Sequence, residues 1–385
     1  CLAIGLPAMM ATAGGLWLGG VASWGLPATV FLLEAACWGL VHRQLVAVVR
    51  IAEGMSGHLT LLSQVMAILG RESFQGEKLS GLKRRLEAAR RTPAQEISRL
   101  GRLIDAYDRA TLNQFAVPFA IALMLPVWIA LAMERWRRSA GRQAVDWLAV
   151  VGEFESLLAL AGYAFERPGD VFPSIVQDGP LVEAVQLGHP LLPVATCRPN
   201  DVRLDGTRQM ILISGSNMSG KSTMLRTVGI NVVLALAGAP VRAERLSVSE
   251  LSIAATINIR DSLQEGQSHF YAEMARLKSL VELLEGDRPL LFLMDEIMHG
   301  TNSHDRQIGT EAVVRKLLEG GAIGLITTHD LALAKIVDTL DGRAENAHFE
   351  DQLVDGKMTF DYRMRPGVVQ KSNALDVMRS LGLDV

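Results

Sequence analysis

Residues 211–223 read Ile-Leu-Ile-Ser-Gly-Ser-Asn-Met-Ser-Gly-Lys-Ser-Thr, and the reading of this stretch decides the fold of the C-terminal half. The short run Ile211 to Ile213 has the length and composition of a buried strand. It breaks at Gly215, and a helical pattern begins near Lys221. Gly215, four intervening residues and then Gly220-Lys221-Ser222 make the G-x-x-x-x-G-K-[ST] pattern of a phosphate-binding loop. Successive backbone N–H groups can curl around an anion only in conformations that a Cβ disfavours, and glycine supplies them. The helix that follows points its positive end at the same anion. Gly215, Ser216, Asn217, Met218, Ser219, Gly220, Lys221, Ser222 and Thr223 are therefore expected to cradle ATP. In this reading Lys221 reaches the β- and γ-phosphates and Ser222 holds Mg²⁺.

Working outward, Leu290 to Met294 is an apolar run that ends in Asp295-Glu296. Such a strand would deliver Asp295 to the metal beside Ser222, while Glu296 orients the attacking water. Four apolar residues before two acids are common by chance; after a phosphate loop they acquire meaning. A further run, Ala322 to Thr328, ends at His329-Asp330. A histidine at a strand's carboxyl end can touch the γ-phosphate, although a lone histidine is more often structural. Between these strands Ser268 sits where a helix could begin, ahead of Phe270, Met274, Leu277 and Leu280. It is either an ordinary N-cap or an anion-binding helix start that reaches a neighbouring subunit's nucleotide, and the physics alone leaves both open.

The chain has 385 residues, enough for two or three domains, and a formal net charge of -3 that names no partner. Cys1, Cys37 and Cys197 are far apart, which argues against a disulfide framework or a zinc site and fits a reducing compartment. Hydrophobic residues make up 49% of the sequence, and the excess sits at the start: Glu34 is the first charged side chain. Two membrane spans in a hairpin over residues 1–42 are expected, divided at Gly19-Gly20, with a very apolar buried helix pair as the alternative. Residues 43–180 read as an all-helical connector or lever domain. Its basic cluster, Lys83-Arg84-Arg85 with Arg90-Arg91, is either a solvated helix face or a contact for DNA phosphates or anionic lipid. A third apolar run, Phe115 to Met133, has arginines crowded on both flanks and is expected to be a buried helix kinked near Pro118 and Pro126. An α/β domain is expected over residues 181–385.

Taken together these residues resemble the ATPase domain of the MutS mismatch-repair family, within the wider ABC ATPase class. The loop Gly215 to Thr223 is similar to that family's G-P-N-M-G-G-K-S-T. Asp261, Gly266, Ser268, Phe270, Glu273 and Met274 follow its D-x-x-x-x-G-x-S-x-F-x-x-E-M segment. Asp295-Glu296-Ile297 with Gly300-Thr301-Asn302, then Thr328-His329, follow its next two motifs. His189-Pro190 and Asn200-Asp201 resemble the approach to its nucleotide pocket. The resemblance implies a P-loop α/β fold with a twisted, mostly parallel sheet flanked by helices, preceded by helical segments. It also implies a homodimer in which Ser268 completes the partner's site in trans, and binding of mismatched or structured DNA. No G-x-F-[YF]-E wedge motif is found, and the apolar start points to a membrane-associated branch with its ATPase domain in the cytoplasm, or to a plainly cytoplasmic protein.

Three functions are thereby in competition. One is an ATP-dependent DNA-structure binder of the MutS type. Another is a membrane-anchored ABC-class ATPase that drives transport or remodelling without DNA; Leu263-x-x-Gly266-Gln267 superficially resembles a transporter signature. The third is an ATPase scaffold that does not itself touch nucleic acid.

Overall fold

The structure is a computed structural model, and it describes residues 2–49, 56–87, 92–112, 117–257, 269–298, 302–354 and 357–369. The chain divides into two compact units, Cys1–Leu158 and Ala159–Val385.

The first unit is helical: α1 (Leu2–Leu18), α2 (Gly25–Val49), α3 (Ser56–Arg71), α4 (Glu77–Glu87), α5 (Pro93–Leu112), α6 (Val117–Ala122) and α7 (Leu125–Glu166), the last of which runs past the unit's end. Apolar residues at helical spacing explain its core. Ile97, Ile104 and Tyr107 of α5 are buried together with Trp136, Trp147, Val150 and Phe154 of α7. The indole N–H of Trp136 donates to the Glu96 carbonyl at 3.0 Å, so this large buried side chain also satisfies its one polar atom. Lys83 and Arg85 of the basic cluster turn to local acceptors: Lys83 donates to the Glu72 carbonyl, and Arg85 pairs with Asp146. Arg90 and Arg91 lie outside the described residues.

The third apolar run departs from expectation. It is two helices, and the chain turns at Leu123–Met124, where Met124 has φ 51°. Pro126 stands in the first turn of α7, where a missing N–H costs nothing, so it starts a helix and kinks none. The run is only half buried: Ala120, Met124, Ala130 and Met133 face inward, but Phe119, Leu123, Leu125, Trp128 and Leu131 are exposed. Among the described residues α7 is the one helix long and apolar enough, by length and composition, to cross a membrane. The 17 residues of α1 reach about 25 Å at 1.5 Å per residue.

The second unit holds two sheets. The smaller has the order β1 (Ser174–Val176), β5 (Arg245–Ser249), β2 (Val182–Leu187), β3 (Asn200–Leu204). The larger has the order β10 (Lys357–Pro366), β9 (Ala344–Val354), β4 (Met210–Ser214), β8 (Ile323–Thr328), β7 (Leu290–Asp295), β6 (Ser252–Thr256). Its strands from β9 to β6 are parallel, and only β10 returns antiparallel. Both faces of the sheet's centre are covered, which is why β4 and β7 are nearly continuous apolar runs. Ile211 and Ile213 pack into one core with Leu225, Val228 and Val232 of α8 (Lys221–Leu236). Met210 and Leu212 point the other way, into a core with Leu277 and Leu280 of α9 (His269–Glu282) and Val314, Leu317 and Leu318 of α10 (Ser303–Glu319). Burying each such aliphatic side chain is worth about 1.5–3 kcal/mol, so the two cores fix the strand register. That register aligns Ser214 with Thr328 and Asp295 with Thr327, bringing the ends of β4, β8 and β7 to one rim.

Candidate nucleotide site

Three chain segments meet at that rim. The first is the loop from Ser214 to α8. Gly215 and Gly220 take φ of 151° and 107°, in the left-handed region where a side chain is strained. A Cβ on Gly215 would stand 2.9 Å from Ser219 Oγ and 3.0 Å from the Phe349 carbonyl oxygen. Gly220 is the N-cap of α8 and offers no side-chain cap, so the first-turn N–H groups are left for another acceptor. Lys221 is buried at the start of α8, and its ammonium donates to the carbonyls of Gly215 and Ser216 at 2.9 and 2.8 Å. Burial pushes its pKa down, while Glu296 and Asp295 pull it back up. The hydroxyls of Ser216 and Ser219 are buried in the same loop, with no hydrogen-bond partner among the described residues.

The second segment is the end of β7. Asp295 accepts a hydrogen bond from the Thr327 hydroxyl at 2.5 Å. Glu296 follows with φ 52° and is held by its N–H, which donates to the Thr327 carbonyl and hydroxyl oxygens, each at 3.2 Å. Met298 also takes a positive φ, 56°. Its N–H donates to the buried Glu273 carboxylate of α9, and its carbonyl accepts from Arg306 Nε at 3.1 Å. Arg306 lies 3.6 Å from Asp330, which in turn caps the short helix α11 (Leu331–Ala334) after β8. The third segment is that β8 end, where His329 Nδ1 stands 3.3 Å from Glu296 Oε1.

A cavity of about 570 Å³ opens beside the loop, the size of a small-molecule pocket. Lys221, Ser222, Thr223, Asn217, Met218 and Glu296 form its loop side. Its far wall comes from the smaller sheet and the last hairpin: His189, Cys197, Asn200, Phe360 and Tyr362. Asn200 ties these together, donating to the Tyr362 carbonyl at 3.0 Å and accepting from Met364 N at 2.7 Å. Burial, and then Arg226 and Arg242, lower the pKa of His189, so a neutral imidazole lines the wall. Cys197 is a free, buried thiol.

The structure thus brings together Gly215 to Thr223, Asp295, Glu296 and His329. Ser268, with Asp261, Gly266, Gly300 and Thr301 of the quoted motifs, lies outside the described residues. Sequence reading assigned no role to Thr327, Glu273 or Arg306, whose work is to hold Asp295, Met298 and Asp330. Only Glu273 gave a signal, as part of a quoted motif. The donor set at the loop, a serine hydroxyl and a carboxylate, is hard oxygen chemistry that fits Mg²⁺, an ion that keeps waters and phosphate oxygens as its other ligands. Among the described residues no group of three or more His, Cys, Asp or Glu side chains is placed to hold a metal.

Comparison with known proteins finds relatives of the segment that carries this loop. Residues 211–384 match the family described as MutS domain V. The chain is 32% identical over 269 residues to the DNA mismatch repair protein MSH6 of Arabidopsis thaliana, covering 65% of this chain and 20% of that protein. It is 34% identical over 235 residues to the DNA mismatch repair protein MutS of an Exiguobacterium species, covering 59% and 27%. It is 36% identical over 197 residues to Endonuclease MutS2 of Thermomicrobium roseum, covering 51% and 24%. The chain therefore spans less than a third of the length of each of these relatives. Segment 211–384 thus matches MutS domain V, and the chain is similar to these MutS-type relatives over more than half of its own length.

Proposed function

We propose that the chain is a Mg²⁺-dependent ATP hydrolase whose nucleotide state switches the protein's grip on mismatched or otherwise structured DNA. The observation that carries the reading is the meeting of Lys221 and Ser222, Asp295 and Glu296, and His329 at one rim beside a cavity of nucleotide size. Lys221 turns from the loop carbonyls to the β- and γ-phosphates, and the buried Ser216 and Ser219 hydroxyls gain acceptors there. Ser222 and Asp295 hold the Mg²⁺, which supplies charge neutralisation on the phosphates. Glu296 orients the attacking water and takes its proton, and His329, beside it, senses the γ-phosphate. The names of the relatives, two mismatch repair proteins and an endonuclease of the MutS2 type, support DNA as the partner. A homodimer with Ser268 acting in trans completes the proposal.

The experiment is ATP turnover and nucleotide binding for Lys221→Ala and Glu296→Gln, with and without homoduplex, mismatched and branched DNA. Lys221→Ala is expected to weaken binding by about 10- to 100-fold, the worth of a hydrogen bond to a charged group. Glu296→Gln is expected to bind normally and hydrolyse about 10²- to 10⁴-fold more slowly. Normal turnover by Glu296→Gln removes the proposed role of the carboxylate. A second reading, a membrane-anchored ABC-class ATPase without DNA, is favoured by the exposed apolar helices of the first unit. Turnover indifferent to every DNA form, in low and high salt, selects it.

A further inference from the structure

Polarity is reversed along α2. Leu32 and Leu33 are 66% and 58% exposed, whereas Glu34 beside them is 0% exposed. Among the described residues neither carboxyl oxygen of Glu34 has a hydrogen-bond partner. In water this arrangement loses twice: each leucine left outside forfeits about 1.5–3 kcal/mol, and a buried polar group without a partner costs roughly 1–3 kcal/mol more. Both signs change when the surroundings are hydrocarbon, where leucine belongs outside and a carboxyl turns into the helix cluster.

The rest of this face agrees. α2 packs against α1 and α6, and those neighbours also turn apolar side chains outward: Leu16 and Trp17 on α1, and Phe119, 73% exposed, on α6. Trp128 and Leu131 near the start of α7 are exposed as well. The hydroxyls of Thr12 and Thr29 donate to their own helix, to the carbonyls of Ala8 and Leu26 at 2.7 and 2.8 Å, and so ask nothing of the surroundings. Immediately along α7 come Arg135, Arg137, Arg138 and Arg142, all exposed, against the single acid Glu134. Arg135 is seven residues past Trp128, or about 10 Å at 1.5 Å per residue, which places a cationic step beside an apolar surface. Anionic lipid headgroups complement that step.

We propose that α1, α2, α6 and the first turns of α7 embed in a lipid bilayer that carries anionic headgroups, with Arg135 to Arg142 at headgroup level. With α1 at about 25 Å and a hydrocarbon core of about 30 Å, embedding does not require each helix to cross. This also gives the third apolar run a role as lipid contact, and it stands independently of the ATPase reading.

The test uses the full chain, purified in mild detergent and reconstituted with vesicles of phosphatidylcholine and phosphatidylglycerol, with plain or brominated acyl chains. The protein is expected to float with the vesicles at low salt and at about 1 M salt, where charge alone is screened. Brominated chains are expected to reduce its tryptophan emission relative to plain ones. Arg135, Arg137 and Arg138 changed together to Gln should remove the preference for phosphatidylglycerol over pure phosphatidylcholine and leave the salt-resistant flotation. Leu32→Glu with Leu33→Glu should lose flotation at helical content unchanged by circular dichroism. Protein that stays out of the vesicle fraction, or tryptophan emission that bromine leaves untouched, overturns the proposal. So does a defined oligomer free of detergent and lipid, since a second copy then covers the face.

Discussion

The two arms of the candidate nucleotide site reach unusual backbone conformations by opposite means. In the loop after β4 the positive φ angles of 151° and 107° fall on Gly215 and Gly220. At the end of β7 the angles of 52° and 56° fall on Glu296 and Met298, residues for which the left-handed region costs about 1–2 kcal/mol each. The first arm is relaxed where it stands. The second is held by contacts from distant segments: Thr327 on the Glu296 N–H, Glu273 and Arg306 on the two sides of Met298, and Arg306 onward to Asp330. A loop that only has to wrap an anion can be specified by its own glycines. A carboxylate that must sit beside a particular oxygen has to be a glutamate, and its strain is offset by neighbours. The second arm is therefore coupled, through α9, α10 and the β8 end, to parts of the chain that touch no phosphate.

That contrast can be broken in order of expected effect. Gly215→Val should be the most damaging, since its Cβ meets a backbone carbonyl at 3.0 Å at a φ that valine resists. A loss of about 3 kcal/mol in chemical denaturation, with nucleotide affinity abolished, is expected. If this variant bound ATP normally, the loop would not owe its shape to glycine. Glu273→Ala leaves the Met298 N–H without its acceptor and should cost about 2 kcal/mol and slow turnover, whereas Glu273→Gln keeps an acceptor and should recover part of both. Equal behaviour of the two variants would remove the clamp. Gly309→Ala places a Cβ 2.5 Å from the Met298 methyl, the mobile end of a flexible side chain. Alanine's helix preference of about 1 kcal/mol offsets the push, so stability should hold while the turnover number falls several-fold and nucleotide affinity stays constant. A change in affinity alone would place the coupling elsewhere.

A control away from both arms is Asp205, whose carboxylate accepts from Thr207 and Arg208 and from Arg203, in the turn between β3 and β4. These bonds, led by the Thr207 hydroxyl, hold its pKa below the usual carboxylate value of 3.8. A depressed folded-state pKa gives stability that is fully present above 3.8 and is lost as pH falls through the lower folded value. Asp205→Asn should therefore cost about 1 kcal/mol at pH 7 and at pH 5, with the gap to the wild type closing below pH 4. The same measurement on Gly215→Val should show a deficit that does not depend on pH in this way.

Much of the C-terminal unit was legible beforehand because its signals are local. The strand–loop–helix from Ile211 to Leu236, the apolar run into Asp295-Glu296 and the strand ending at His329 all appear where the periodicity and glycine spacing put them. What was missed depends on neighbours brought in by the fold. Nothing adjacent to Thr327 announces that it will hold both Asp295 and Glu296, because that meeting is created by the parallel pairing of β7 with β8. Nor does the hydropathy of Phe115 to Met133 say which way its side chains face. The same composition serves a core or a surface, and the turn at Met124 with the packing of α6 on α2 leaves Phe119 and Trp128 outside.

The sequence by itself determined the glycine-bordered loop after β4, the order of the motifs and the buried character of the strands that lead into them, since each rests on side chains acting on their own backbone or repeating at a fixed period. Only the tertiary structure decided which carboxylate is strained and who holds it, that β8 stands between β4 and β7, and that Glu34 faces inward while Leu32 and Leu33 face out. Those outcomes depend on contacts between residues far apart in the chain, and the energy that selects them exists only once the distant surfaces have met.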